Sequence, residues 1–309
     1  MKILITGAGG FVGAACVDAA LAAGHQPLAL VRPARNHRRL IGKAVEVLPL
    51  DLADASALNR AMALHRPDVI IHTAWSSVSN AARHDKAQIT DNIAMGLALV
   101  ESAAANHVGK FIGIGSQGEY GLLSGKIAET ALPVPTSLYG AAKVAMQVLA
   151  SQLCAEAGVE FAWLRLFSTY GPQDNSNWLI PSLITQMLDG QRPKTTEGRQ
   201  LWDYLYIDDV AAAILAVAEH PEATGVFNLG SGQPVPVRRI VEAIRDLAAP
   251  GLELVFGEIP YKADQIWHME ADIERLTRLS GFTPKVGLVD GLSRTITWHK
   301  AARADLLEP

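Results

Sequence analysis

Short apolar runs alternate with helical patterns along the first half of the chain. The runs are almost continuously apolar, which is typical of parallel strands buried on both faces of a sheet. The predicted strands are Lys2–Thr6, Gln26–Val31, Val45–Leu50, Asp68–Thr73, Lys110–Gly115 and Glu160–Leu166. The predicted helices between them are Phe11–Ala23, Ala55–His65, Ala87–Asn106 and Ser137–Ala157. This alternation predicts an α/β fold built on a doubly wound parallel sheet.

After Gly171-Pro172 the pattern becomes less regular. Further helices are predicted at Trp178–Leu188, Asp208–Glu219, Val237–Ala248, Asp272–Leu279 and Val289–His299. Prolines and glycines interrupt the stretches between them, so a second complete nucleotide-binding sheet is not expected. We predict a nucleotide-binding domain over residues 1–167, with residues 204–230 packing back on it. Residues 168–309 would form a smaller substrate-binding domain.

Composition narrows the class of protein without identifying it. The 309 residues carry a net charge of −4, which gives no reason to expect nucleic acid or a membrane surface as a partner. The two cysteines, Cys16 and Cys154, lie in helical patterns and suit free thiols in a reducing cytoplasm. The first apolar run stops at Thr6-Gly7, so neither a signal peptide nor a spanning helix is predicted. The nine histidines lack metal-ligand spacing, and no metal is expected.

A glycine-rich loop follows the first strand and opens the first helix. Its glycines are spaced Gly-x-x-Gly-x-x-Gly at Gly7, Gly10 and Gly13, a variant of the usual dinucleotide fingerprint. Glycines allow the backbone to approach a pyrophosphate, and the helix N-terminus offers free N–H groups to it. The loop therefore predicts a dinucleotide site, in which we also place Gly9, Phe11 and Val12.

The end of the second strand bears on which dinucleotide is bound. An acidic residue there usually binds the ribose of NAD, but this chain has Arg32 and Arg35 and no carboxylate. Either arginine could pair with a 2′-phosphate, although a solvated basic loop would look the same in the sequence. We favour NADP(H), with NAD(H) as the alternative. Asp51 and Leu52, just past the third strand, would meet the adenine edge; the rival role for Asp51 is a helix cap.

Tyr139 and Lys143 are candidate catalytic residues because they stand four apart in a predicted helix. Residues at i and i+4 share one face, so the phenol and the ammonium can reach the same small molecule. A neighbouring cation lowers the pKa of a tyrosine and makes it a usable general acid or base. Ser116, at the end of the fifth predicted strand, is a candidate hydrogen-bond partner for the substrate.

The glycine loop, Ser116 and Tyr139-x-x-x-Lys143, in this order, resemble the extended short-chain dehydrogenase/reductase family, the NAD-dependent epimerase/dehydratase group. Further stretches that look like family landmarks are Asn92, Tyr120-Gly121, Tyr170–Pro172, Tyr206–Val210, Phe227–Gly230 and Gly287–Leu292. The resemblance implies a Rossmann-like fold, and a homodimer formed through helices Ala87–Asn106 and Ser137–Ala157. It adds to the predicted cofactor site Thr73, Ala74, Trp75, Asn92, Phe167 and Ser168.

The resemblance also implies the catalytic roles. Ser116 would hold the substrate oxygen, Tyr139 would exchange a proton with it, and Lys143 would lower the pKa of Tyr139 and bind the nicotinamide ribose. Dehydratases of the family carry an acidic pair directly after the serine or threonine, where this chain has Gln117 and Gly118. Because neither residue can titrate, dehydration is not expected. Glu119 is one position further on and is not assigned that role.

The substrate end departs further from the family pattern. Trp202 stands where an arginine that contacts the diphosphate is expected, a second such arginine aligns near Tyr261-Lys262, and Ser168 replaces an asparagine. Arg199, Arg192 or Lys262 could compensate as phosphate partners. Otherwise the substrate lacks a diphosphate, and a more apolar pocket is lined by Trp75, Trp178, Trp202 and Trp267. The predicted substrate residues are Ser77, Gln117, Trp178, Arg199, Trp202 and Lys262.

Taken together, these features predict an NADPH-dependent reductase of a ketone, and specifically a 4-ketoreductase of a nucleotide-diphosphate 4-keto-6-deoxyhexose. A nucleotide-sugar 4-epimerase is the second hypothesis. A non-catalytic NADP-binding sensor is the third, and it has no need of a tyrosine activated by a lysine.

Overall fold

The computed structural model describes residues 1–35 and 37–304. The strands, in chain order, are β1 Lys2–Thr6, β2 Gln26–Val31, β3 Glu46–Pro49, β4 Val69–His72, β5 Lys110–Ser116, β6 Gly125–Ile127, β7 Glu160–Leu166, β8 Ser168–Tyr170, β9 Leu201–Trp202, β10 Tyr204–Tyr206, β11 Gly225–Leu229, β12 Val235–Pro236 and β13 His268–Ala271. The helices are α1 Phe11–Ala22, α2 Ala55–His65, α3 Ala87–Thr90, α4 Asn92–Ala105, α5 Leu138–Ala157, α6 Leu179–Leu188, α7 Ile207–Glu219, α8 Val237–Ala248, α9 Glu274–Ser280 and α10 Leu288–Ala304.

Seven strands form one parallel sheet in the order β11-β7-β5-β4-β1-β2-β3. The chain starts in the middle of the sheet, winds outward to β3, and then crosses back to build the other half. The reversal of direction lies between β1 and β4, where a crevice opens at the carboxyl ends of the strands. The fold is therefore the predicted Rossmann-like, doubly wound α/β sheet.

Both faces of the sheet are covered, which explains the continuous apolar runs. In β1, Ile3 and Ile5 belong to one core cluster, which includes residues of α1 and α7. Leu4 points the opposite way into a second cluster, which includes residues of α2, α4 and α5. Successive side chains of a strand alternate between the two faces. A strand that is buried on both sides is therefore apolar at nearly every position.

The six predicted strands and the four helices of the first half all form, with ends that shift by at most a few residues. The predicted helix over residues 87–106 is divided, because α3 ends at Thr90 and α4 begins at Asn92. Thr90, Asp91 and Asn92 are poor helix formers, and the Thr90 hydroxyl bonds the Asp91 carboxylate at 2.7 Å where the two helices meet.

The second half contributes to both the large sheet and a smaller sheet. β11 pairs with β7 at the edge of the large sheet, with Phe227 opposite Leu164. A separate four-stranded sheet has the order β12-β9-β13-β6, and β8 pairs with β10. The boundary near residue 167 stays a prediction. Among the described residues, no helix is both long and apolar enough to cross a membrane.

Candidate functional site

The glycine loop between β1 and α1 forms a bare backbone cradle. Gly7 has φ +66°, and a Cβ atom there would lie 2.8 Å from the backbone of Ala74. A Cβ atom on Gly13 would collide with the carbonyl oxygen of Gly7. Gly10 is the N-cap of α1, and no side chain caps this helix end. The first N–H groups of α1 are therefore available to an anion such as a pyrophosphate.

A cavity of about 460 Å³ extends from this cradle across the carboxyl ends of β1, β2 and β4. Its lining contains most of the residues predicted for the cofactor, namely Gly7, Gly9, Gly10, Arg32, Arg35, Asp51, Leu52, Thr73, Ala74 and Trp75. Ser77, predicted for the substrate, also lines this smaller cavity. Asp51 lines the cavity while the neighbouring Asp54 caps α2, accepting the N–H of Ala57 at 2.9 Å.

The loop after β2 brings a cluster of basic side chains to this smaller cavity. Arg32, Arg35 and His37 line it, and the Arg32 carbonyl oxygen lies 3.0 Å from Nε2 of His37. The His37 ring covers Gly9, since a Cβ atom on Gly9 would lie 2.5 Å from His37 Nδ1. Arg39 donates to the carbonyl oxygens of Gly9 at 3.2 Å and Gln173 at 2.6 Å. The basic loop is therefore folded onto the cradle.

A second cavity, of about 750 Å³, adjoins the first. Thr73 and Trp75 line both cavities, so one extended ligand can occupy the two together. The predicted residues that line the larger cavity are Phe11, Val12, Ser116, Gln117, Tyr139, Lys143, Phe167, Ser168, Trp178 and Trp202. Its size is ordinary for a small-molecule site.

Ser116 and Tyr139 meet at the wall of this larger cavity. Ser137 caps α5 by accepting the N–H of Gly140 at 3.2 Å, which places Tyr139 in the first turn of the helix. The Ser116 hydroxyl accepts the Gly118 N–H at 3.1 Å and lies beside the Tyr139 phenol, whose pKa it lowers. Burial raises the pKa of Tyr139, whereas the bond from Ser116 and the charge of Arg83 lower it. A hydroxyl pair of this kind can hold a carbonyl oxygen and exchange a proton with it.

Lys143 lies one helical turn after Tyr139 and is 5% exposed. Its ammonium donates to the Ile114 carbonyl oxygen at 2.6 Å and lies 3.6 Å from the centroid of the Trp75 ring. It lies 5.9 Å from the centroid of the Tyr139 ring. Burial lowers the pKa of Lys143 to about 7, against an opposing effect of the Glu119 charge.

A buried amide network holds Trp75 against Lys143. Gln88 is fully buried, and its Oε1 accepts the Trp75 indole N–H at 2.8 Å. Its Nε2 donates to the carbonyl oxygens of Ser77 and Ala82. Asn92, predicted for the cofactor, lines neither cavity. Instead, its Oδ1 accepts from both the backbone N–H and the hydroxyl of Ser76, so that it orders the loop after β4.

Glu119 is directed away from the larger cavity, although it lies three residues after Ser116. It is fully buried and accepts the Ser116 N–H at 2.9 Å, the Trp163 indole N–H at 3.0 Å and Arg165 Nε at 2.7 Å. Its carboxylate therefore fixes the backbone of Ser116. It is not free to act as a general acid in the cavity, and the neighbouring Gln117 and Gly118 cannot titrate.

Arg199 and Lys262, both predicted for the substrate, are not brought to either cavity. The Arg199 side chain is 73% exposed and pairs with Glu197, and Lys262 lies exposed on a loop. Arg192, the other candidate phosphate partner, pairs with Glu258 at 2.8 Å. All three side chains are exposed to solvent, although the nearby Gln200 and Gln265 line the larger cavity.

Trp202 fills the position where the sequence analysis expected an arginine, and its indole N–H donates to the Ser168 hydroxyl at 2.7 Å. Trp267 does not line the cavity and is half exposed against Tyr261.

Among the lining residues that were not identified from the sequence are His37, Arg39, Arg83 and Asp174. His37 and Arg39 belong to the basic stretch after β2, whose charge was the available signal. Asp174 directly follows Tyr170–Gln173, and burial raises the pKa of its carboxyl group to about 7. Arg83 lies in a loop without periodicity, so the sequence offered no signal for it. Residues 1–35 and 37–304 contain no cluster of three potential metal ligands.

Comparison with known proteins identifies the family of the chain. The model of the NAD dependent epimerase/dehydratase family matches residues 3–230. A dTDP-glucose 4,6-dehydratase of Streptomyces niveus is 28% identical over 98% of this chain and 94% of its own length. A GDP-6-deoxy-D-mannose reductase of Pseudomonas aeruginosa is 27% identical over 98% of this chain and 99% of its own. The solved UDP-glucose 4-epimerase of Thermotoga maritima, with UDP-glucose, has a TM-score of 0.85 at 27% identity and covers 98% of this chain and 100% of its own.

Proposed function

The chain belongs to the NAD-dependent epimerase/dehydratase family of nucleotide-sugar enzymes, and we propose that it is an NADPH-dependent reductase of a ketone. The proposed substrate is a nucleotide-diphosphate 4-keto-6-deoxyhexose. The observation that carries the proposal is the environment of Ser116. Ser116 and Tyr139 lie beside each other and can bind a ketone oxygen and donate a proton to it. Glu119, the nearest carboxylate in sequence, is held by Arg165 outside the cavity.

Water elimination needs a general acid and a general base beside the reacting carbons. Gln117 and Gly118 supply neither, so the dehydratase activity named for several relatives is not proposed for this chain. The named reductase among the relatives matches over nearly its whole length, which supports the choice of reduction. The UDP-glucose 4-epimerase of Thermotoga maritima is similar in structure, and epimerisation is therefore the second candidate.

The residues present fit a nicotinamide dinucleotide in the two joined cavities. Gly7, Gly10 and Gly13 would receive its pyrophosphate, and Arg32, Arg35 and His37 would face its adenosine end. A 2′-phosphate there would meet guanidinium groups and no carboxylate on the β2 loop, which is why we propose NADP(H) over NAD(H). The bound cofactor would supply the hydride.

The chain itself would bind the ketone and move its proton. The Ser116 hydroxyl would donate a hydrogen bond to the ketone oxygen, and the Tyr139 phenol would deliver its proton to that oxygen as the carbon is reduced. Lys143, in its protonated form, would help to lower the pKa of Tyr139 and would bind the nicotinamide ribose. Trp178 and Trp202 would pack against the substrate further from the reacting carbon.

The proposal is tested with NADPH that is deuterated at the transferred position. With a nucleotide 4-keto-6-deoxyhexose, a reductase places one deuterium on the product carbon for each NADPH consumed. An epimerase would interconvert the 4-hydroxyl isomers of a nucleotide sugar without net consumption of NADPH. Cofactor binding with no turnover of any ketone would favour the sensor and overturn the proposal.

A further inference from the structure

A second cation lies beside the Tyr139 phenol and is absent from the sequence motif. The Arg83 guanidinium carbon lies 5.4 Å from the centroid of the Tyr139 ring. The Arg83 carbonyl oxygen accepts the Tyr139 backbone N–H at 2.9 Å. This backbone bond ties the loop after β4 to the first turn of α5, so the guanidinium is held over the phenol by a defined main-chain contact.

The Arg83 side chain has no counter-charge that would explain its place as an ordinary ion pair. Within the part of the chain that the structure describes, it forms no salt bridge, and its Nε is enclosed without a hydrogen-bond partner. It lines the larger cavity together with Ser116, Gln117 and Tyr139. A partly buried guanidinium without a partner is costly, so its position is best explained by negative charge that develops beside it.

Lys143 lies at a similar distance, 5.9 Å from the centroid of the Tyr139 ring, but its positive charge depends on pH. Its ammonium is bonded to Ile114 and packed on the Trp75 ring. Because burial lowers the pKa of Lys143 to about 7, a large fraction of it is neutral near neutral pH, before Tyr139 titrates. A guanidinium stays protonated throughout this range.

The other charged groups around Tyr139 do not replace Arg83. Glu119, on the turn after β5, acts in the opposite direction, but its charge is paired with Arg165. His72, at the end of β4, is neutral because burial and the Lys143 charge lower its pKa to about 3. Ser116 contributes a hydrogen bond and no charge. Arg83 is therefore the group beside the phenol that stays positively charged as the pH rises.

We propose that Arg83 is a positioning residue that acts through Tyr139 by stabilising its phenolate. As the ketone carbon takes up hydride from NADPH, the ketone oxygen takes the phenolic proton, and the phenolate left behind lies beside the guanidinium until a solvent proton restores it. The inference rests on the proposed function, in which Tyr139 is the proton donor. It adds a cation from a different element to the Tyr139-Lys143 pair.

The pKa of Tyr139 is the quantity that tests this inference. A unit charge about 6 Å away, at the effective dielectric of a partly buried site, should shift the pKa of the phenol by about one to two pH units. The full-length chain would be labelled with ¹³C at the ζ carbon of tyrosine and titrated by NMR, and the Tyr139 resonance assigned by its loss in Tyr139→Phe. Burial raises the pKa of Tyr120, Tyr170, Tyr204 and Tyr206, so those four rings should titrate later than an unburied phenol.

Arg83→Gln is expected to raise the pKa of Tyr139 by about one to two units, and Arg83→Lys to keep it within about half a unit of wild type. Arg239→Gln, on an exposed side chain of α8 outside both cavities, is the matched control and should leave the Tyr139 titration unchanged. Equal Tyr139 titration in wild type and Arg83→Gln overturns the inference. A Tyr139 that stays protonated up to alkaline unfolding in both proteins overturns it as well.

The pH dependence of ketone reduction separates this inference from the proposed function. If a ketone is reduced, the alkaline limb of the kcat/KM profile should move upward in Arg83→Gln by the shift seen in the titration. If a ketone is reduced but Arg83→Gln shifts neither the Tyr139 titration nor the kcat/KM profile, the proposed function stands and the role of Arg83 is excluded. If Arg83→Gln shifts the titration of Tyr139 but no ketone is reduced, Arg83 does act on Tyr139, and the proposed function is wrong.

Discussion

The Lys143 ammonium lies 3.6 Å from the centroid of the Trp75 ring, and Gln88 fixes the indole from behind through a bond of 2.8 Å. The lysine is thus held between an aromatic face and the Ile114 carbonyl oxygen. Cation–π contact partly compensates the ammonium for its loss of water. The geometry of the proposed catalytic residues therefore depends on residues from β5, the loop after β4 and α3, as well as on α5.

Gln88→Leu tests how much this support contributes to stability. The change leaves the Trp75 indole, one N–H of Asn92 and the carbonyl oxygens of Ser77 and Ala82 without their buried partner. Each such group costs about 1–3 kcal/mol, so we expect the free energy of unfolding to fall by at least about 3 kcal/mol in urea titration. Gln233→Leu, on an exposed side chain, is the control. A loss below about 0.5 kcal/mol for Gln88→Leu would contradict the buried network.

The lowered pKa of Lys143 predicts a pH dependence of stability. The unfolded chain holds this proton up to about pH 10.5, whereas the folded chain loses it near pH 7. Between these values the unfolded state binds more protons, so this residue makes stability rise with pH, by at most about 1.4 kcal/mol per pH unit. Below pH 7 both states are protonated, and the folded state bears the cost of the buried charge.

Lys143→Met should remove that slope. The free energy of unfolding of wild type and variant would be measured in urea at about pH 7 and about pH 9.5. Relative to Lys143→Met, wild type should be more stable at the higher pH than at the lower one. Lys300→Met, on the exposed surface of α10, should leave the slope unchanged. Parallel slopes for wild type and Lys143→Met would show that Lys143 keeps an ordinary pKa.

The basic loop after β2 predicts how the cofactor preference changes. Arg32→Asp places a carboxylate at the smaller cavity, where it would repel a 2′-phosphate and accept the ribose hydroxyls of NADH. We expect the ratio of NADPH to NADH affinity to fall at least tenfold, which corresponds to about 1.4 kcal/mol. Fluorescence titration with each cofactor measures this ratio. Arg60→Asp, exposed on α2, is the control, and equal ratios in wild type and Arg32→Asp would remove the argument for NADP(H).

The sequence predicted the parts of the fold that depend on local pattern. β1, β2 and β7 have the predicted bounds because residues buried on both sheet faces leave an unmistakable apolar run. Residues 204–230 were predicted to pack back on the first domain, but no strand was predicted at β11, because its pairing with β7 is a long-range contact that its five residues do not encode. The break between α3 and α4 depends on the local bonding of Thr90 and Asp91, which outweighs the helical pattern.

In the candidate site, too, the residues marked by a local motif were predicted and those without one were not. Ser116, Tyr139 and Lys143 could be identified because a short motif carries them, and the structure places all three at one cavity. Arg83 and Gln88 reach the same place from a loop and a one-turn helix, where neither periodicity nor motif marks them. Arg199 and Lys262 were chosen as charged residues close to the positions where the family arginines were expected. Charge does not specify which way a loop turns, and the structure leaves both in solvent.

The central claim is that Tyr139 donates the proton in an NADPH-dependent ketone reduction. The most direct measurement follows nicotinamide absorbance in wild type and Tyr139→Phe with a panel of nucleotide 4-keto-6-deoxyhexoses. We predict one NADPH consumed per alcohol formed by wild type, and a loss of about a hundredfold or more in Tyr139→Phe with cofactor binding retained. Undiminished reduction by Tyr139→Phe, or no NADPH consumption by wild type across the panel, would contradict the claim.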